Sequence, residues 1–155
     1  MIQFRDVNDC LVEYSPKPEF GEPWHTLVIC RFQDHWVLTH NNKRGLEFPG
    51  GKREKGETIE EAGIREVYEE TGGIASNLQF LGQYKVYGVA EPFVKSVYFT
   101  HLCELKPKHD YFETNGPVLL AKLPENIKNH SEFSFIMKDE ILPQCLIQIQ
   151  KLELI

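Results

Sequence analysis

Hydrophobic and polar positions change their spacing several times along this chain, and each change marks an element. Residues 26–32 are almost unbroken apolar, the pattern of a strand buried on both faces. A polar tip, Gln33-Asp34, follows, and residues 35–40 resume the pattern, which predicts a β-hairpin. Upstream, residues 4–14 carry scattered β-favouring side chains and predict one or two peripheral strands. Pro16, Pro18, Gly21 and Pro23 then break any regular element. Residues 41–44 form a polar turn and residues 46–48 a short strand. Further on, residues 78–87 and 93–105 are β-rich and pair across the link 88–92, and residues 118–121 add another short strand. Ser131 is placed to cap a short helix through Lys138. Leu142, Cys145, Leu146, Ile149 and Leu152 recur at helical spacing and predict a final helix that covers the core.

Between the hairpins the period shifts to that of a helix. Thr58 stands three residues before Glu61, the reciprocal capping arrangement that opens a helix. Gly72-Gly73 supply the left-handed stop, so a helix is expected over residues 59–71. Seven acids crowd into residues 48–74: Glu54, Glu57, Glu60, Glu61, Glu66, Glu69 and Glu70. Drawn on the helix, Glu66 and Glu70 project beside the apolar sector of Ile59, Gly63, Ile64, Val67 and Tyr68, while Glu69 points further toward solvent. Like charges three or four positions apart cost about 0.2–0.5 kcal/mol per pair. A divalent cation reverses that sign.

Composition narrows the picture. With 155 residues, 41% hydrophobic and 26% charged, the chain suits a single α+β domain over residues 1–155. Its formal net charge of -6 gives no general attraction to polyanions, so a long nucleic acid would need a local basic patch. Cys10, Cys30, Cys103 and Cys145 are scattered, without the spacing of a metal knuckle, and are expected as reduced, mostly packed thiols. The first residues lack the apolar stretch of a signal peptide, and no apolar run approaches the ~20 residues of a membrane span. A cytoplasmic protein without membrane partners is the expectation. His25, His35, His40, His101, His109 and His130 form no tight pattern and receive no catalytic role.

The acid-rich stretch resembles the signature of a known family. Gly51, five residues, Glu57, seven residues, then Arg65-Glu66-Val67-Tyr68-Glu69-Glu70-Thr71-Gly72 is similar to the Nudix box, Gx5Ex7REUxEExGU with U a bulky apolar residue. The departure is Gly73, which stands where the last apolar residue belongs, with Ile74 one step late; it bears on the packing of the helix exit. The flank Glu47-Phe48-Pro49-Gly50-Gly51-Lys52 resembles the MutT-like branch. The segments GQYKV, DYFETNGPVL and FSFIMKDEILP resemble the bacterial YtkD-type nucleoside triphosphatases.

The resemblance implies an α/β/α sandwich with a mixed sheet, and a Mg²⁺-dependent pyrophosphohydrolase in which Mn²⁺ substitutes. It implies metal ligation by Glu66, Glu69 and Glu70, by the backbone carbonyl of Gly50 and by Glu113. Arg65 would hold the loop acid Glu57, and Glu66 or Glu113 would be the base. Lys52 is a candidate phosphate contact, Phe48 a candidate wall of a base pocket, and Asn126 and Asn129 candidate readers of a purine edge. The expected substrate is a nucleoside triphosphate, with guanine nucleotides including 8-oxo-dGTP first and an RNA 5′-triphosphate end as the alternative. A non-catalytic nucleotide sensor is the competing class, and the complete REVYEE core argues against it.

Overall fold

The computed structural model describes residues 1–88 and 90–155. Two long antiparallel hairpins are laid side by side. The first is β3 (His25–Phe32) with β4 (His35–Asn41), and the second is β8 (Gln79–Tyr87) with β9 (Phe93–Leu105). They join through parallel pairing of β3 with β9, from His25 opposite Lys95 to Arg31 opposite His101. The outer strands are β1 (Ile2–Arg5), β2 (Leu11–Ser15) and β10 (Thr114–Leu120), giving the order β1-β2-β8-β9-β3-β4-β10. Gln33 and Asp34 both adopt positive φ, as a two-residue hairpin turn requires.

Alternation along the central strands divides their side chains between two cores. Leu27 and Ile29 of β3, Trp36 and Leu38 of β4, and Val97 and Phe99 of β9 face one side. There the helix α2 (Ile141–Lys151) buries Ile141, Leu142, Cys145 and Ile149. Val28, Cys30, Val37 and Tyr98 face the other side and pack with Ile59 and Val67 of the helix α1 (Ile59–Thr71). The result is a mixed sheet between two helices, the expected α/β/α sandwich. Gly63 allows α1 to lie close to the sheet: a Cβ there would stand 3.1 Å from Leu78 Cδ1 and 3.2 Å from Val28 Cγ2.

Helix α1 begins and ends where the sequence places it. Thr58 Oγ1 accepts from the Glu61 N–H at 3.1 Å and Glu61 Oε1 accepts from the Thr58 N–H at 2.8 Å. Gly72 stops it at φ +77°. Four elements differ from the sequence reading. Three-residue strands β5 (Gly45–Glu47), β6 (Gly50–Lys52) and β7 (Gly73–Ala75) pair with β4, β3 and β9, and β6 and β7 were not expected. Strand β10 starts at Thr114, before residue 118, and passes an irregularity between Thr114 and Pro117. Residues 131–138 do not form the helix capped by Ser131. The Leu46 N–H donates to Glu132 O and the Ser134 N–H to Leu46 O, both at 2.8 Å, which ties this stretch to β5 by a bridge at Phe133 in place of helical bonding. Ser134 then caps a single 3-10 turn, Phe135–Met137.

The substitution of Gly73 for the apolar residue of the box has a steric cause. A Cβ at this position would come within 2.7 Å of Leu102 Cδ1, so the sheet already fills the space. All four cysteines are free, with Cys30 and Cys145 buried, Cys10 partly so and Cys103 exposed. Among the described residues no helix is long and apolar enough to cross a membrane.

Candidate active site

A cavity of about 640 Å³ opens between α1, the Gly50–Arg53 segment and the turn before β10. Its wall carries Glu54, Glu66, Glu69, Glu70 and Glu113 together with Arg44, Lys52, Arg53 and Arg65. The fold thus gathers the box acids with Glu113, which is distant in sequence. The Asn42 N–H donates to Glu113 O at 3.3 Å and fixes that turn against the end of β4.

Arg65 organises the acids. Its Nε and Nη2 fork onto Glu57 at 2.6 and 3.0 Å, Nη1 donates to Glu66 at 2.7 Å and Glu69 at 3.2 Å, and Nη2 reaches Lys52 O at 3.1 Å. One guanidinium therefore ties the loop to the helix, a geometry that a planar bidentate donor supports and an ammonium does not. The Arg65 bond, more than any other influence, holds the Glu57 carboxyl below the usual carboxylate range. Glu57 also accepts from the Glu54 N–H at 2.9 Å. Burial, then Glu66, pushes Glu69 up.

Of the acids that line the cavity Glu70 lies deepest, at 8% exposure. Burial, followed by its hydrogen bond to Glu66 and the negative charges of Glu66 and Glu47, pushes its carboxyl up to about 10, opposed by the Gly50 N–H it accepts. A hydrogen bond between two carboxyls requires a proton between them. The helix backbone here is clamped to the sheet, since Glu70 O accepts from Thr39 Oγ1 at 3.1 Å and Thr114 Oγ1 at 3.2 Å. Gly51 makes room for Glu66: a Cβ there would stand 2.7 Å from the Glu66 carboxyl carbon.

Among the described residues no three carboxylate, imidazole or thiol groups converge on one point, because Arg65 engages Glu66 and Glu69 directly. The donors nonetheless suit a hard divalent cation, being all oxygen, and burial beside Glu66 raises the Glu70 carboxyl in a way that a dication on the same acids would oppose.

Several contributors escaped the sequence reading. Arg44 donates to both oxygens of Glu47 at 3.0 and 2.8 Å, and Glu47 is only 3% exposed. The signal was an acid between Leu46 and Phe48 in an apolar strand. Lys108 donates to Tyr68 O at 3.1 Å and Glu69 O at 3.0 Å, supplying the helix C-terminus with a cation that the last turn of α1 lacks. Nothing local in the sequence points to that contact.

Gly50, the expected carbonyl ligand, lines the acidic cavity, and so does Lys52 among the substrate candidates. Phe48 is 1% exposed, edge-on to Trp36 in the α2-side core, and forms part of a smaller cavity behind Gly50. Asn126 and Asn129 are not brought to the carboxylates; both line a separate cavity of about 600 Å³ against α2.

Comparison with known proteins agrees with this fold. The chain is 47% identical over 153 residues to a Bacillus subtilis (strain 168) protein provisionally named 8-oxo-dGTP diphosphatase YtkD, covering 97% of each chain. It superposes on the crystal structure of a mutant of the Bacillus subtilis pyrophosphohydrolase BsRppH with a TM-score of 0.94 and 46% identity, covering 97% of each chain. A NUDIX hydrolase from Nitrosomonas europaea, 18% identical and covering 84% of this chain and 90% of its own, shares the fold at a TM-score of 0.62. The pattern described as the NUDIX domain matches residues 23–134, and with the carboxylate helix and its arginine in place the chain belongs to the NUDIX family of hydrolases.

Proposed function

We propose that this protein is a Mg²⁺-dependent pyrophosphohydrolase that converts guanine nucleoside triphosphates, 8-oxo-dGTP among them, to the monophosphate and pyrophosphate, with Mn²⁺ able to substitute. The observation that carries this reading is the single cavity holding Glu66, Glu69, Glu70 and Glu113 beside a guanidinium that locks Glu57 to the helix. The provisional name of the 47%-identical relative supports the guanine nucleotide.

Glu66, Glu69, Glu70, Glu113 and the Gly50 carbonyl would hold the cation, which when bound neutralises phosphate oxygens and acidifies water. Glu66 or Glu113 takes a proton as water adds to the β-phosphorus. The bond from that phosphorus to the α–β bridging oxygen breaks, the nucleoside monophosphate leaves, and the β- and γ-phosphates depart as pyrophosphate. Arg65 keeps the Glu57 loop against the helix while Lys52 offers a point charge to a phosphate.

An RNA 5′ end presents the same three phosphates. Its further phosphates disfavour it for a chain of net charge -6, so free nucleotides rank first. The test is kcat/KM for 8-oxo-dGTP, dGTP, GTP and a 5′-triphosphate RNA at matched salt. Higher kcat/KM for the nucleotides is expected, strong preference for the RNA overturns the ranking, and binding without turnover of any of them overturns the enzyme.

A further inference from the structure

Strand β9 ends at Leu105 and β10 begins at Thr114, and the link between them brings Glu113 to the acidic cavity. The Glu113 side chain is exposed and, among the described residues, forms no ion pair, so the link itself must set its position. The link is not self-supporting. Phe112 has φ +61°, a conformation that bulky side chains rarely adopt, and its ring is 60% exposed. A backbone held this way persists only where the contacts around it impose it.

Those contacts centre on one ammonium. Lys108 Nζ donates to Tyr68 O at 3.1 Å and to Glu69 O at 3.0 Å, in the last turn of α1. It also stands 4.6 Å from the centre of the Tyr68 ring, 5.5 Å from that of Tyr111 and 5.2 Å from that of Phe112. Helix and link thus both present aromatic faces to the same cation, each an attractive contact. The Lys108 N–H donates to the Tyr111 hydroxyl at 3.0 Å, and the Tyr111 ring lies against Gly116 of β10, where a Cβ would stand 3.0 Å from it.

The ends of the link are tied to α1 separately. The Lys106 N–H donates to Gly72 O at 2.9 Å, and Thr114 Oγ1 donates to Glu70 O at 3.2 Å. Between these two points, Lys108 is the side chain among the described residues that reaches α1 by hydrogen bonds. It does not line the acidic cavity, so whatever it contributes there passes through the residues it holds.

We infer that Lys108 is a positioning residue: it ties the link that carries Glu113 to the main chain of Glu69, so that the carboxylates of link and helix are held at the spacing one divalent cation needs. The assignment rests on the hydrolase reading above. The sign of its effect separates geometry from charge. An ammonium near a dication repels it, so on Coulomb grounds alone removing Lys108 tightens metal binding. Loss of the tie instead lets Glu113 drift from α1 and weakens binding. Groups that orient metal ligands from behind contribute about 10- to 100-fold in affinity, enough to outweigh a screened repulsion.

The test titrates Mn²⁺ into the full chain without substrate and reads the free ion by its paramagnetic resonance signal. Lys108→Met keeps an apolar stem among the rings and removes the donors, while Lys108→Arg keeps both charge and donors. Lys108→Met should weaken Mn²⁺ binding about tenfold or more, and Lys108→Arg should stay close to the unaltered protein. On a Glu113→Gln background, itself expected to bind Mn²⁺ more weakly, Lys108→Met should add little, because the acid it positions is gone. In GTP hydrolysis, raising Mg²⁺ should return most of the kcat that Lys108→Met loses. Amide exchange of the unaltered protein gives a readout that needs no variant: Mg²⁺ should slow residues 110–114 and the last turn of α1 over the same range of metal concentration. Unchanged or tighter Mn²⁺ binding in Lys108→Met, a loss of equal size on the Glu113→Gln background, normal Mn²⁺ binding by Glu113→Gln, or protection confined to α1 overturns this assignment while leaving the hydrolase intact. The expected Mn²⁺ pattern without turnover of any triphosphate overturns the hydrolase reading instead.

Discussion

Glu70→Gln should move stability and activity in opposite directions. In the metal-free protein the Glu70 carboxyl is pushed up to about 10, so at neutral pH it is protonated when folded and ionised when unfolded. Glu66 is the neighbour that favours the protonated form, and the Gly50 N–H opposes it. Glutamine meets both neighbours, donating through its amide and accepting through its carbonyl, without taking up a proton on folding. A folded carboxyl raised above its unfolded value of 4.5 destabilises increasingly as pH rises between the two values. Wild type and variant should therefore be equally stable below about pH 4. The gap should open above that, to a ceiling of about 3 kcal/mol at pH 7, from 1.36 kcal/mol for each of roughly 2.5 pH units. Urea unfolding in EDTA across pH 4–8 measures it. With Mg²⁺ the wild type should gain stability that the variant does not, since only the ionised acid is a good ligand. Hydrolysis by the variant should fall by roughly two orders of magnitude, the cost of losing an electrostatic stabiliser. Near-normal turnover by folded Glu70→Gln, or a stability gap that does not change with pH, refutes the reasoning.

Gly51→Ala should lower kcat by about tenfold or more, because its Cβ displaces the Glu66 carboxyl; the melting temperature should barely change, since the obstacle is the end of a side chain, and unchanged kcat would show that Glu66 needs no such seat. Arg65→Lys cannot fork onto Glu57, so amide exchange of residues 52–57 should quicken and kcat should drop together; intact protection of that loop would show that other contacts hold it. EDTA should abolish hydrolysis and Mn²⁺ restore it, while thiol reagents reach Cys10 and Cys103 without effect, Cys30 and Cys145 being buried with their thiols pushed up; persistence in EDTA with loss on thiol modification would exclude the metal-carboxylate chemistry.

What could be read from the sequence was what short-range chemistry specifies. Thr58 with Glu61 sets the start of α1, Gly72 sets its end, and Gln33-Asp34 sets the hairpin turn, each through contacts a few positions apart, so these elements appear where expected. The failures share a different cause. Strands β6 and β7, built on Gly50-Gly51 and Gly73, have little strand propensity of their own and exist because β3 and β9 pair with them. Residues 131–138 have a plausible cap in Ser131, yet Leu46, some ninety positions earlier, claims the backbone of Glu132 and Ser134. The box acids were legible as a set because one helix carries them. Lys108 at the helix end depends on which segments become neighbours, and no short window of sequence contains that information.

The packing of Gly73 against Leu102 has an evolutionary consequence. The bulk that the family pattern carries at the helix exit is carried here by the sheet, so the two positions share one fixed volume. A larger residue at 73 is admissible only with a smaller one at 102, and either change made alone meets a barrier: an overfilled contact in one order, a hole in the other.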